Sequence, residues 1–475
     1  MTKFPLEQPP FRPIHLSDAD RKNVVELADT FVSTTIEDYE AHLTDYNGIV
    51  DATKWVRVKQ FEDVVVYQDR EALKERRLSR VNLSRDRAVS NEPLKLLWFG
   101  TVRGNLDDMM YAAVSPTPEE AKVKAAYVES TVLDYALLDT LVHPTVDDPF
   151  CGVQIKWAVN GGPAIMRSMV RYRDFVYVEA TGMATISTGE RVGFHLLHSL
   201  VIPGASELHQ HKLVRGDITL FHFYRQRSED VVETYVKAFV DLKGDMPIGV
   251  ATKLVTNGLV SVWRLGEYAL MKKLNSQLAQ QRSTLPTPVI GFCHVCSKII
   301  RGSMVRRRTC NICASHCCAR CCVPKKMFFV PACSRAVAQR TAHFCMECIQ
   351  LASNENGADI ALRELYEASG QIKAYTYWAN ISPTSSTSSM MLARRLVANE
   401  WSSSHVKATV DSESGVNGPS CRHETRQRCK HLYLSEDALH SGDSLTLFQF
   451  AGIAQQDMDC SARQATAVDS ALELA

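Results

Sequence analysis

Residues 293–348 read CHVCSKIIRGSMVRRRTCNICASHCCARCCVPKKMFFVPACSRAVAQRTAHFCMEC. Four C-x-x-C pairs punctuate this stretch: Cys293/Cys296, Cys310/Cys313, Cys318/Cys321 and Cys345/Cys348. Each lets two sulfurs of one tight turn meet a metal at ~2.3 Å. Eight thiolates in this spacing call for two zinc ions, with four sulfurs to each. The segment is poor in large apolar residues, so binding metal and folding are expected to be one event. Cys317 and Cys322 flank the third pair, but Cys317 with Cys321 or Cys322 has the wrong spacing for a knuckle, so Cys318/Cys321 is retained. His316 stands as an alternative ligand.

Eleven of the chain's fifteen cysteines fall in this window. That clustering points to metal rather than to a disulfide framework. The chain has 475 residues, 45% hydrophobic and 23% charged, enough for two or three globular domains. Its net charge of +1 says nothing about partners. No apolar run approaches the ~18 residues of a membrane span. The start, MTKFPLEQPPFRPIHL, has neither the apolar core nor the cleavage site of a secretory signal. The expected location is the cytoplasm or membranes facing it.

Residues 1–16, with four prolines, read as an irregular lead-in. Ser17 can cap a helix from Asp18 whose apolar members include Val24, Ala28, Phe31 and Tyr39. Trp55 to Tyr67 reads as strand, turn, strand; residues 70–92 are charged, helix or loop; Leu94 to Val102 reads as a strand; Asn105 caps a further helix. From Ile155 to Tyr224 apolar segments alternate with short turns as antiparallel strands do, and HQHKLVRG is taken as one of them. A single long helix is expected from about Pro247 to Gln281. Residues 353–379 hold a short helix, ALRELYEAS, and a linker, and 380–475 are polar and weakly periodic, a largely disordered tail.

The spacing C-x2-C-x13-C-x2-C-x4-C-x2-C-x23-C-x2-C resembles a FYVE-type finger over residues 289–352. The resemblance implies interleaved pairs. Cys293, Cys296, Cys318 and Cys321 would hold one zinc ion, and Cys310, Cys313, Cys345 and Cys348 the other. It also implies that the basic motif R-R-H-H-C-R grips a phosphoinositide. Here those positions read Arg306, Arg307, Arg308, Thr309, Cys310, Asn311, and the family's R-V-C is His343-Phe344-Cys345. The W-x-x-D that precedes the first ligand in the family is missing. The metal frame is intact while the phosphate pocket is eroded. Arg306, Arg307, Arg308 and His343 are the candidate phosphoinositide contacts, and Met304 and Val305 sit where the family's membrane-inserting loop lies. Between Ser297 and Met346 there is no acidic residue and there are ten basic ones. Each basic side chain near an anionic leaflet is worth up to ~1 kcal/mol. A RING-type ubiquitin ligase shares the interleaved geometry but does not call for this basic run.

Residues 17–283 run helix, strands, helix, strands, long helix, the helix-grip arrangement, and resemble a START domain. The residues that carry this are Trp55 to Tyr67, Gly100 to Tyr111, Arg173 to Val178 and the helix ending near Lys273. The resemblance implies a curved antiparallel sheet closed by a helix around a hydrophobic lipid ligand. On that helix Val250, Leu254, Leu259 and Val262 are candidate lining residues or plain core. Trp98, Trp157 and Trp263 are expected as core anchors. The combination of a START-like domain with a FYVE-type finger resembles a protein family abundant in oomycetes.

No nucleophile elbow, P-loop or dinucleotide fingerprint is present. His209 and His211 would share one face of a strand, but no third ligand accompanies them. His195, His198 and His222 read as packing residues. Cys421, His423, Cys429 and His431 form a quartet within the tail. The sequence thus reads as an α+β, non-enzymatic lipid-binding adaptor with two zinc ions, a hydrophobic ligand and an anionic membrane partner, endosomal among the choices, and no nucleic acid. The alternatives are a protein-interaction scaffold with a purely structural finger, or a RING-like ligase.

Overall fold

The computed structural model describes residues 3–12, 14–74, 93–161, 170–244, 246, 248–280, 291–300, 308–331 and 334–368. Met304, Val305, Arg306, Arg307, the tail and its Cys/His quartet lie outside the described residues. The chain divides into two compact units, Met1–Leu365 and Tyr366–Ala475; the sheet and the cysteine segment both belong to the first.

Ser17 caps α1 (Asp18–Thr44), its hydroxyl accepting from the Asp20 amide at 3.1 Å. Ten strands then build one sheet. They are β1 (Trp55–Phe61), β2 (Val64–Asp69), β3 (Leu94–Arg103), β4 (Val132–Val142), β5 (Gly152–Asn160), β6 (Arg173–Thr185), β7 (Arg191–Ser199), β8 (Val214–Arg215), β9 (Asp217–Ser228) and β10 (Val231–Asp241). The order is β1-β2-β3-β10-β9-β7-β6-β5-β4, antiparallel throughout, with β8 added in parallel to β6. Strands β4 and β10 were not expected from the sequence. Three register shifts against β5 break the alternation that would have marked β4.

Two helices, α2 (Leu106–Ala113) and α3 (Pro118–Tyr127), lie between β3 and β4. Asn105 caps α2 through the Asp108 amide at 2.8 Å, as expected, and Thr117 caps α3. The expected single C-terminal helix is instead α4 (Ile248–Leu259), a 3-10 segment (Val260–Arg264) and α5 (Leu265–Gln280). Gly258 and Gly266 bracket this break, and glycine weakens a helix at such points.

The cysteine segment adds β11 (Arg308–Thr309), β12 (His316–Cys317), β13 (Cys322–Phe329), β14 (Ala338–Cys345) and α6 (Met346–Asn354), and α7 (Gly357–Ala368) follows it. It is packed onto the sheet domain. Met271 and Leu274 of α5 share one buried cluster with Ile312, Met327 and Phe344, while Leu265, Tyr268 and Ala269 of the same helix belong to the main core with Trp98 and Met109. Lys273 lies between these two clusters, only 1% exposed. Its ammonium meets the Asp108 carboxylate at 2.7 Å and the Glu355 carbonyl at 2.6 Å. Asp108 also accepts from the Gly357 amide at 3.0 Å, and Asp107 from Asn356 at 3.0 Å. These two aspartates, in the first turn of α2, thereby fasten it to the chain beyond the cysteines. Gly357 suits the close approach, since a Cβ there would stand 2.6 Å from the Asp107 carbonyl oxygen.

A second fastening centres on Asp134, which is fully buried. It accepts from Lys122 and Arg335 at 3.1 Å each and from the Leu6 amide at 2.9 Å. The lead-in is thereby held down, with Leu6 and Ile14 buried. Tyr127 stacks edge-on against Phe328 at 4.8 Å and accepts from its amide at 3.1 Å.

Removing one partner of a buried ion pair strands the other charge. Lys273→Met should therefore lower the unfolding free energy of the metal-loaded chain by about 3 kcal/mol. Urea denaturation measures it, and a loss below about 1 kcal/mol would mean that Lys273 is no more than a surface pair.

Candidate ligand cavity and metal centres

Side chains alternate across a strand, so each strand of the curved sheet offers every second residue to one face. On that face lie Arg173, Phe175, Tyr177 and Glu179 of β6, Lys156 and Ala158 of β5, Leu197 of β7, and Leu220, His222 and Tyr224 of β9. α1 covers the opposite face, where Phe31 meets His198 at 4.3 Å and Tyr39 stacks on Phe223 at 5.0 Å. Helices α3, α4 and α5 close the first face with Ala121, Lys124, Ala125, Leu254, Val255 and Leu265. Sheet and helices do not meet completely. A cavity of about 250 Å³ remains between them.

Of the residues proposed on the closing helix, Leu254 and Val262 line this cavity. Val250 is not in its wall, and the Leu259 side chain lies outside the described residues. Trp98 and Trp157 are fully buried core residues, as expected, and the Trp157 indole donates to Asp174 at 2.9 Å. Trp263 is half-buried, and its indole donates to Glu62 at 3.1 Å.

One end of the cavity is polar, which the sequence reading missed. Glu179 forms an ion pair with Lys156 and accepts from His195 Nε2 at 2.9 Å. The Lys156 ammonium also donates to the Ser115 carbonyl at 2.8 Å. Burial pushes the Glu179 carboxyl up, but Lys156 and His195 outweigh it and hold the group well below the usual carboxylate range. Burial lowers His222 to about 3 and His198 to about 4. Neutral His222 donates through Nδ1 to the His195 carbonyl at 3.1 Å. Burial also lowers Lys124 to about 8; its ammonium donates to the Ala113 carbonyl at 2.6 Å. The alternation of K-x-A in β5 and R-x-F-x-Y-x-E in β6 was the available signal, masked because β6 is apolar on both faces.

The expected strand around His209 and His211 is a 3-10 turn (His209–His211) followed by the short β8, so the two rings do not share a strand face. Glu207 is 3.6 Å from His209 in an exposed pair.

In the cysteine segment the eight expected thiols gather into two groups. Cys293, Cys296, Cys318 and Cys321 form one, and Cys310, Cys313, Cys345 and Cys348 the other, with all sulfurs of a group within 4.8 Å of one another. Four sulfurs ~2.3 Å from a tetrahedral ion stand about 3.8 Å apart. Cys313 and Cys345 are 3.8 Å apart and Cys296 and Cys318 are 3.9 Å apart. Each group can hold one metal ion, and an all-cysteine set suits zinc. The residue after the second cysteine of the first two pairs, Ser297 and Ala314, turns left-handed (φ 55° and 53°), which closes the knuckle. Backbone amides of Cys318 and Cys345 donate to Cys293 and Cys310 sulfurs, each at 3.3 Å, favouring thiolates. Pairing of Cys322 with Cys345 across β13 and β14 brings the two groups side by side. Cys317 and Cys322 are buried outside both groups, and His316 bonds Thr309 rather than joining a group.

Arg308 is engaged in the fold, donating to the Cys322 carbonyl at 2.8 Å. Asn311, where the resembled motif has its last arginine, exchanges bonds of 2.7 and 2.6 Å with the His343 backbone. Among the described residues no helix is long and apolar enough to cross a membrane.

No protein-family model and no curated protein matches this chain. Among solved structures it is similar to human STARD10, at 12% identity over 50% of this chain and 81% of that one, with a TM-score of 0.34. It is similar also to human StAR-related lipid transfer protein 5, at 14% identity over 50% of this chain and 98% of that one, TM-score 0.33. A fragment of a STAR-related lipid transfer protein from Xanthomonas axonopodis aligns at 14% identity over 46% of this chain and 98% of that one, TM-score 0.30.

Metal analysis of the purified chain should return two zinc ions. Cys310→Ser should lower this to about one, while Cys317→Ser keeps both; equal losses would contradict the grouping. A second expectation concerns acid. His198 and His222 titrate lower folded than unfolded, so the unfolded chain takes up protons first. Their contribution to stability is complete above about pH 6.5 and falls below it, by ~1.4 kcal/mol per pH unit per histidine. Urea titrations from pH 7.5 to 5 on the parent and on a His198→Gln, His222→Gln variant should show a shallower loss in the variant.

Proposed function

We propose that the chain is a non-enzymatic lipid-binding adaptor: a START-like domain takes a hydrophobic ligand into the cavity between sheet and helices, and a FYVE-like finger with two zinc ions presents it to an anionic membrane. One observation carries the first half. Between a sheet face and three helices, side chains leave about 250 Å³ unfilled, with Ala158, Phe175, Leu197, Leu220, Val255 and Leu265 among the apolar residues of the wall. A core of this size ordinarily packs to crystal density, and an apolar hollow closed by helices is where a ligand would be held. A little below the usual range for ligand pockets, about 300–1,000 Å³, it suits a single-chain or compact lipid.

For the finger, the support is surface chemistry. Phe292 and Ile299 are 50% and 57% exposed beside the exposed Lys298, and Arg320, Lys326 and Arg340 are exposed on the same segment. Apolar side chains flanked by cations favour an anionic leaflet. Engagement of Arg308 by the Cys322 carbonyl argues for general anionic attraction over a specific 3-phosphoinositide grip; an endosomal address would need that grip. A second reading, a structural finger, is favoured by the buried Lys273 junction, and the two roles are compatible.

Ala158→Trp should fill the cavity and weaken uptake of a fluorescent hydrophobic probe by about tenfold or more with the zinc content unchanged. Undiminished uptake would place the ligand elsewhere. Ile299→Asp should reduce sedimentation of the zinc-loaded chain with phosphatidylserine vesicles, and sedimentation equal to that of the parent would remove the finger from the membrane contact.

A further inference from the structure

The cavity's lining has more donors than its one carboxylate, Glu179, can use. Glu179 is occupied by Lys156 and His195. Glu120, the other carboxylate near Lys124, pairs with Lys272 at 3.4 Å. Lys124 is left with one acceptor among the described residues, the Ala113 carbonyl. Two further donors line the same cavity, the Ser115 hydroxyl and the Tyr224 phenol. Both residues are buried, 2% and 0% exposed, and neither side-chain oxygen has a hydrogen-bond partner among the described residues. Burial pushes the Tyr224 phenol up, so it remains a donor at neutral pH. Unpaired buried donors cost free energy, and a surplus buried cation costs more.

We propose that Lys124, Ser115 and Tyr224 form a head-group site for a single-chain amphiphile bearing a carboxylate, whose tail occupies the apolar part of the cavity. This rests on the hydrophobic-ligand reading above and adds the chemistry of its head. A carboxylate presents two oxygens with about four acceptor positions, enough for an ammonium, a hydroxyl and a phenol together. Its single charge neutralises the surplus on Lys124. An alcohol head could satisfy the hydroxyls but would leave the cation unpaired. Arg173 also lines the cavity, but carbonyls of Arg171, Leu242 and Lys243 already take up its guanidinium. The lowered pKa of Lys124 fits an ammonium awaiting an anion.

The test is calorimetric titration of the full, zinc-loaded chain with dodecanoate, dodecanol and dodecyl phosphate. Dodecanoate should bind about tenfold or more tightly than dodecanol, the size of a charge-assisted hydrogen bond. Lys124→Met should erase this difference by weakening dodecanoate alone, and Lys124→Arg, which keeps the charge, should restore most of it should the methionine variant fold poorly. Equal binding of acid and alcohol to the parent would overturn the head-group site while leaving the hydrophobic-ligand reading standing. Tighter binding of dodecyl phosphate would overturn the carboxylate assignment, and no binding of any of the three would bring down both readings.

Discussion

One helix belongs to two cores. The faces of α5 place Leu265, Tyr268 and Ala269 in the sheet domain's interior and Met271 and Leu274 among the cysteines, with Lys273 buried between. A small metal-held segment has little apolar surface of its own, so part of its core must be borrowed. Here the lender is also a wall of the cavity, since Leu265 lines it. Ordering the cysteines around metal and ordering the cavity wall are therefore linked through the same sixteen residues. The Lys273 ammonium would be prohibitively placed without Asp108 and the Glu355 carbonyl, and these come from α2 on one side and the end of the cysteine segment on the other.

The second link runs through α3. Its outward residues Lys122 and Tyr127 reach Asp134, Arg335 and Phe328, while Ala121, Lys124 and Ala125 look into the cavity. Two sets of polar groups inside that cavity behave differently. Lys156, Glu179 and His195 satisfy one another and hold β5, β6 and β7 in fixed relation, whereas Lys124, Ser115 and Tyr224 keep donors unused among the described residues. The former explains how charge is tolerated in an apolar enclosure; the latter distinguishes the enclosure from a simple packing fault, which would be apolar.

Much of this was legible in the sequence. Cysteine spacing is a direct geometric statement, because two residues between thiols fix a knuckle whatever surrounds it. Helix starts at Ser17 and Asn105 were likewise local, each cap bonding an amide three residues on. What could not be read depends on distant pairing. Strand β4 carries bulges that spoil its alternation, and β10 buries consecutive residues from Val232 to Val236, Glu233 among them, so no single polar face marks it. His209 and His211 alternate like strand residues yet close a 3-10 turn. The Lys156–Glu179 pair joins residues 23 apart, and no local pattern announces which face of β6 will be enclosed. Docking of the cysteines onto α5 was invisible for the same reason: Met271 and Leu274 look like any apolar helix residues until a partner surface is known.

The shared helix makes the two halves interdependent, and hydrogen exchange measured on the zinc-loaded chain before and after chelation tests this most directly. Metal removal should raise amide exchange not only across residues 293–348 but also in α5 and α3, Leu265–Gln280 and Pro118–Tyr127. Exchange that quickens within the cysteine segment alone, leaving both helices as protected as before, would contradict the account.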